Sequence, residues 1–274
     1  MIRRILVALG GGMSSATIQQ AVELAKIHGA ELTAAALLDA PRLSAVGPVP
    51  IGAAASAVEL RQYRLQTAEQ SLEEAVVQFE AMAAAAGLTY RVARERGDPI
   101  DRLVALSRYH DVVVAGLHGL FEWGLTDEPP CELVKLVSEG VRPILAVTDQ
   151  PRSIQRVLIA YSGSVESAKT MKQFIRFRPW PDVRIKLLTF NEDLAAGREL
   201  LADASQYCRA HGYEPEVEAS PFPPKPHLLR YAEEWNADLV VLGNSAKNLL
   251  LRRLFGETAL HVIRRAEVPL FLSQ

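Results

Sequence analysis

One order of secondary-structure elements, repeated along the chain, constrains this fold most. Short apolar segments alternate with longer stretches of helical periodicity, and the order restarts after the polar segment "DQPRS" at residues 149–153. The segment "RILVAL" from Arg4 is matched by "RVLIAY" from Arg156, and each copy continues as β-α-β-α-β-α-β-α-β. We therefore predict two domains, residues 1–149 and residues 154–274.

Strands that alternate with helices predict a parallel sheet with right-handed crossovers. The expected fold class is α/β, with two tandem doubly wound domains. Each is expected to be a five-stranded parallel sheet with helices on both faces, and the two sheets are expected to be separate. Ligands in such sheets bind beyond the carboxyl ends of the strands, near the switch in strand order. The loops after the first and fourth strands of each half are therefore the candidate sites.

Several local patterns predict individual elements. A loop rich in proline, glycine and alanine is expected from Pro41 to about Ala57. A long helix follows, with an apolar stripe at helical spacing formed by Leu65, Ala68, Leu72, Val76, Phe79 and Met82. Asp98 is expected to cap the next helix, with Pro99 in its first turn. The third helix of the second half is expected to begin at His227.

The charge and cysteine content exclude several classes of function. Lys and Arg number 30 and Asp and Glu number 32, so the formal charge is −2 and nothing favours nucleic acid or an anionic membrane as partner. Cys131 and Cys208 show neither metal-site spacing nor a disulfide framework, which predicts a reduced compartment. Because no segment approaches the roughly 18 apolar residues of a membrane span, we expect a soluble, cytoplasmic protein.

Three pairs of segments and one single segment resemble the universal stress protein family, here in a tandem two-domain form. They are "ILVALG" and "VLIAYSGS" at the two starts, "GDP" before the third helix, "HDVVVAGLHG" and "ADLVVLGNSA" at the fourth strands, and "VRPILAVT" and "EVPLFLS" at the ends. The resemblance covers nearly the whole chain and implies an adenine-nucleotide alpha-hydrolase-like fold. It also implies that the two last strands pair edge to edge as an internal pseudo-dimer, which would hide two apolar edges. A further homodimer of the whole chain is left open.

The resemblance implies a nucleotide site in the second half. Nucleotide-binding members carry G-x2-G-x9-G-[ST] after strand four and an aspartate at the end of strand one. The matching positions and their neighbours are Ser162, Gly163, Gly243, Asn244, Ser245, Ala246, Arg252, Gly256, Glu257 and Thr258. Three positions depart from the motif: Ala246 replaces a glycine, Glu257 replaces the Ser or Thr, and Ser162 replaces the aspartate. The implied ligand is ATP or another adenine nucleotide, with magnesium.

Glu257 is the departure with the largest electrostatic effect. A carboxylate at a helix N-terminus is stabilising by about 0.3–1 kcal/mol when exposed. We therefore expect Glu257 to cap this helix and to fill the anion site. A triphosphate would be repelled unless Glu257 turned away or a divalent cation intervened, although Lys247, Arg252 and Arg253 would offset the repulsion.

The first half departs further from the motif. Gly116 and Gly119 fit the first two glycines, and His118 lies between them, but Leu9 stands where the aspartate would be. The third glycine is lost, and the loop is acidic and rich in proline, with Glu122, Asp127, Glu128, Pro129 and Pro130. Since proline offers no amide donor, we expect a degenerate site that does not bind ATP.

Other readings of the same loops are weaker. The segment "GGGMSS" from Gly10, with Asp39 as a ribose partner, suggests a dinucleotide site, but the fingerprint fails at Ser15. The segment "YSGSVES" partly matches the pyrophosphate loop of adenylating enzymes. The six histidines lack metal-ligand spacing, and no catalytic set can be assembled. We therefore expect a non-catalytic, stress-linked binding or regulatory protein. The alternatives are an interaction module without ligand and a weak nucleotide hydrolase.

Overall fold

The fold is described from a computed structural model, which covers residues 1–10, 15–45, 52–118, 131–140, 142–243 and 256–273. The first half comprises β1 (Arg4–Leu9), α1 (Ser15–His28), β2 (Glu31–Leu38), α2 (Ala40–Ser44), α3 (Ala54–Ala85), β3 (Tyr90–Arg96), α4 (Pro99–Ser107), β4 (Val112–Gly116), α5 (Cys131–Glu139) and β5 (Ile144–Val147). The second half comprises β6 (Arg156–Ala160), α6 (Val165–Phe177), β7 (Arg184–Phe190), α7 (Leu194–Ala210), β8 (Glu216–Ser220), α8 (Pro224–Glu234), β9 (Leu239–Gly243), α9 (Glu257–Arg265) and β10 (Leu270–Ser273).

The strands form one sheet in the order β3-β2-β1-β4-β5-β10-β9-β6-β7-β8. Within each half all pairings are parallel, and both halves have the order third, second, first, fourth, fifth. The last strands pair antiparallel, with Leu145 opposite Phe271, as the edge-to-edge prediction required. The expectation of two separate sheets is wrong, because this pairing merges them into a continuous ten-stranded sheet.

Two hydrophobic layers cover the faces of this sheet, and each runs through both halves. Side chains of a strand alternate between the layers: Ile5 and Val7 belong to the first, and Leu6 and Ala8 to the second. Helices α1, α3, α6 and α7 pack in the first layer, whereas α4, α5, α8 and α9 pack in the second. The halves therefore share their cores. Among the described helices, none combines the length and the apolar character of a membrane span.

Most predicted elements lie where the sequence patterns place them, with two corrections. The carboxylate of Asp98 accepts hydrogen bonds from two amides of the first turn of α4, as predicted. The predicted loop after β2 contains a short helix, α2, because Asp39 Oδ1 accepts the amide of Arg42 at 3.0 Å. Helix α8 begins at Pro224, before His227, since proline suits a first helical turn.

Two equivalent aspartates hold the first strand of each half against its fourth strand. Asp111 Oδ2 accepts the amides of Arg3 and Arg4 at 2.7 and 3.0 Å. Asp238 Oδ2 accepts the amides of Gln155 and Arg156 at 3.0 and 2.9 Å. Each aspartate directly precedes the fourth strand of its half, so one carboxylate satisfies two amides that open the first strand. The duplication is therefore retained in side-chain detail.

We expect Asp111→Ala and Asp238→Ala each to lower the free energy of unfolding by about 1–3 kcal/mol, because two strand amides lose a charged acceptor. Urea denaturation measures the loss. The matched control is Asp182→Ala, at an exposed aspartate for which no hydrogen bond is seen among the described residues, with a change within about 0.5 kcal/mol. Equal losses in all three variants would show that the two aspartates have no special anchoring role.

Candidate functional site

The carboxyl end of β6 leads into a cluster of three serine hydroxyls at the start of α6. Ser164 is the N-cap of α6, and its Oγ accepts the amide of Ser167 at 3.1 Å. Ser162 Oγ lies 3.1 Å from Ser164 Oγ and 3.2 Å from Ser167 Oγ. The hydroxyls therefore surround the positive end of a helix dipole, a place that favours an anion.

Gly163 lies between these serines in a conformation that favours glycine. Its φ is 75°, and a Cβ added there would lie 2.8 Å from Leu200 Cδ1 of α7. The turn after β6 is therefore tight and packs beneath α7. This accounts for a glycine at the predicted site position without any ligand.

Gly243, at the end of β9, packs against the backbone of α6. A Cβ there would lie 2.7 Å from the carbonyl carbon of Glu166 and from the Cα of Ser167. The equivalent Gly116 in the first half is less constrained, since its added Cβ would lie 3.1 Å from the carbonyl oxygen of His118. The first motif glycine of the second half is thus needed for close packing, and it brings β9 to the same serine that Ser162 contacts.

The N-terminus of α9 forms the other described part of the site. Gly256 is the N-cap, and Glu257 and Thr258 begin the helix. The Glu257 carboxylate accepts a hydrogen bond from Lys225 Nζ of α8 at 3.2 Å, and the Glu257 side chain is 84% exposed. The carboxylate thus lies at the exposed surface in an ion pair with α8, in the first turn of α9 rather than at its N-cap. That Glu257 fills the anion site stays a prediction.

Several predicted residues lie outside the described parts of the chain. They are Asn244, Ser245, Ala246, Lys247, Arg252 and Arg253 of the second half, and Gly119, Glu122, Asp127, Glu128, Pro129 and Pro130 of the first. Of the predicted site residues, the described structure brings Ser162 and Gly243 together against Ser167. Gly256, Glu257 and Thr258 lie at the start of α9, next to α8.

The first half lacks the corresponding polar groups in its described residues. Leu9, which the motif comparison placed at the aspartate position, is fully buried in the core. The strand register makes Arg4 equivalent to Arg156, so the residue equivalent to Ser162 is Gly10 and not Leu9. Asp39 is engaged as the N-cap of α2, which opposes its role as a ribose partner in a dinucleotide site. Whether the first half binds a nucleotide stays a prediction.

Lys225 and the Ser164 and Ser167 hydroxyls are site groups that the motif comparison missed. Lys225 is 32 residues from Glu257 in sequence, so no local pattern connects them. The serines had a local signal, since "SGSVES" is a capping sequence at the start of a helix. Phe222 and His227, stacked with ring centroids 5.0 Å apart, flank Lys225 in the same segment.

Burial shifts the pKa of two titratable groups in the described core, Cys208 and His28. Burial raises the pKa of the Cys208 thiol to about 11, so the thiol stays protonated and unreactive at neutral pH. Burial also lowers the pKa of His28, whose Nε2 lies 3.0 Å from the carbonyl oxygen of Pro179. Within the described ranges no three His, Cys, Asp or Glu side chains lie together as a metal site.

The family model that describes the universal stress protein family matches residues 1–123 and 191–273. The chain belongs to the universal stress protein family. Its two matched segments fall in the two halves of the sheet, as the tandem form requires.

Relatives support the family and the fold. A universal stress protein of Synechocystis sp. is 23% identical over 208 residues, which is 75% of this chain and 69% of that protein. The crystal structure of a universal stress protein from Archaeoglobus fulgidus superposes with a TM-score of 0.67 at 18% identity, covering 98% of both chains. A candidate family member from Pseudomonas aeruginosa UCBPP-PA14 gives 0.63 at 15% identity, covering 99% of this chain and 93% of that one.

Replacing the equivalent glycines Gly243 and Gly116 by alanine tests whether Gly243 is needed for close packing. We expect Gly243→Ala to lower the free energy of unfolding by about 1–3 kcal/mol or more, because its methyl group meets helix backbone that cannot rotate away. Gly116→Ala, with the milder contact, is the matched variant and should cost less. Thermal unfolding measures both changes, and a fully stable Gly243→Ala protein would contradict the packing role.

Proposed function

We propose that the second half binds an adenine nucleotide, ATP with magnesium, at the carboxyl ends of β6 and β9. The protein would then act as a stress-response regulatory or binding protein rather than an enzyme. The observation that carries this proposal is the ion pair of Glu257 with Lys225. Since the carboxylate is drawn to α8, the departure from the motif at Glu257 does not by itself exclude a phosphate group.

Charge balance at this edge supports the same proposal. Lys225 carries a positive charge next to the start of α9, and its side chain is 51% exposed in the ion pair with Glu257. An incoming triphosphate would compete with the Glu257 carboxylate for this ammonium group, and magnesium would lower the repulsion between the two anions. An exposed ion pair contributes little, about 0–1 kcal/mol, so its rearrangement would cost little.

Particular residues would have distinct roles. The hydroxyls of Ser162 and Ser164 would donate to an anionic or polar group of the nucleotide at the start of α6. Thr258 would supply the hydroxyl that the family motif places one residue earlier. Magnesium would be held mainly through phosphate oxygens, since it commonly keeps few protein ligands.

The first half is proposed to have a structural role, as a degenerate copy that completes the sheet. We also propose residues 1–149 and 154–274 as the two domains, and a cytoplasmic location. Self-association of whole chains stays a prediction.

Thermal unfolding with ATP and magnesium tests the proposal. We expect the nucleotide to raise the unfolding midpoint of the intact protein by several degrees, because a ligand that binds only the folded state stabilises it. Glu257→Ser removes the nearby carboxylate and frees Lys225, so its midpoint should rise further at equal ATP. The control is Glu233→Ser, which removes an exposed carboxylate from the last turn of α8, the helix that carries Lys225.

The other possible outcomes of this experiment favour the alternative functions. Stabilisation of Glu257→Ser alone would mean that Glu257 blocks the site in the natural protein. No stabilisation of any variant would contradict nucleotide binding and leave an interaction module. Phosphate release above a buffer blank would instead indicate a weak nucleotide hydrolase.

A further inference from the structure

A groove lined by basic side chains lies beside the seam between the two halves. Its volume is about 570 Å³, and it lies along α6 and the residues that precede β5. The lining includes Arg142, Lys169, Lys172, Gln173, Arg176 and Phe177, called here the basic groove. These α6 residues lie beyond the helix start that carries Ser164 and Ser167, so the basic groove is separate from the proposed nucleotide site.

Among the described residues, the positive charges of the basic groove have no acidic partner. Lys169, Lys172 and Arg176 are spaced i, i+3 and i+7, which places them on one side of α6. None of the ion pairs seen among the described residues includes any of them or Arg142. Like charges at this spacing repel one another, so the arrangement favours an anion that bridges them.

Two further side chains of the basic groove, those of Arg142 and Gln173, are hydrogen-bond donors. The Arg142 Nε atom is buried and has no acceptor among the described residues, although its Nη2 lies 3.4 Å from the carbonyl oxygen of Arg108. Gln173 Oε1 accepts the Ser273 hydroxyl at 2.6 Å, which leaves the amide nitrogen of Gln173 as a donor. The Arg142 side chain also lines the groove, so the accessible part of its guanidinium can donate to an anionic oxygen there.

The equivalent helix of the first half shows that the duplicated fold does not require these charges. Gln20 of α1 corresponds to Gln173, because each lies three residues after a fully buried threonine, Thr17 or Thr170. Counting from this pair, the residues equivalent to Lys169, Lys172 and Arg176 are Ala16, Gln19 and Glu23. The row of cations is therefore particular to α6.

We propose that the basic groove binds a small anion that carries two or more phosphate groups. The planar guanidinium of Arg142 suits a phosphate held through two oxygens, and the lysines and Arg176 balance the charge of further phosphates. The volume lies within the roughly 300–1,000 Å³ common for small-molecule sites. Phe177 adds an apolar surface to the lining.

Isothermal titration of inorganic tripolyphosphate into the intact protein tests this proposal. We expect binding that weakens as salt is raised, and a loss of about tenfold or more in the double variant Lys169→Gln/Arg176→Gln. The control is Lys135→Gln on α5, which packs against the opposite face of the sheet. It should change the affinity by no more than about twofold, a free-energy difference small beside the tenfold effect. Lys225→Gln is a separate variant, which reports any tripolyphosphate bound at the proposed nucleotide site.

The outcomes discriminate the sites. The double variant should unfold at the same or a higher temperature, because it relieves the repulsion between like charges on α6. A loss of binding in this variant would therefore not arise from a loss of folding. Parallel titration with ATP assigns the ligand class: a gain over tripolyphosphate that the double variant abolishes indicates nucleoside polyphosphates, and equal affinity indicates recognition of phosphate alone. The proposal would be overturned if tripolyphosphate did not bind. It would also be overturned if Lys135→Gln weakened the binding of tripolyphosphate as much as the double variant, or if Lys225→Gln alone weakened it.

Discussion

The antiparallel pairing of β5 with β10 is the interaction on which the rest of this structure depends. Either half alone would leave its last strand as an unpaired apolar edge, a liability in any open sheet. Pairing Leu145 with Phe271 closes both edges at once and makes the apolar layers continuous across the seam. The same pairing sets α6 beside residues of the first half, which creates the basic groove.

Packing also limits how strongly the glycines of the family motif support ligand binding. Gly163 and Gly243 occupy motif positions, yet both are needed where they are because a side chain would collide with Leu200 or with the backbone of α6. A retained glycine is therefore weak support for a bound nucleotide. Ser162 and the ion pair of Glu257 with Lys225 are more informative, since neither is needed to cap a helix or to pack one against the sheet.

Much of the fold could be predicted from sequence, because its signals are local. Apolar runs such as "RILVAL" and "LVVLG" predict buried strands, and Asp98 followed by Pro99 predicts the start of α4. The tertiary contacts could not be predicted in the same way. Lys225 meets Glu257 across 32 residues, and the role of Gly243 depends on how α6 crosses β9. Helix α2 was missed although Asp39 lies three residues before the amide it caps, since the loop composition masked a short helix.

Hydrogen exchange of a Phe271→Ala variant tests most directly whether the two halves form one cooperative unit. Phe271 is 1% exposed, and its ring packs edge-on against Phe174 at 5.4 Å, so its loss should cost about 3–5 kcal/mol. If the core is shared, the slowest amides of β4 and β5 in the first half lose the same protection as those of β6 and β9 in the second. Protection lost only in the second half would contradict a shared core.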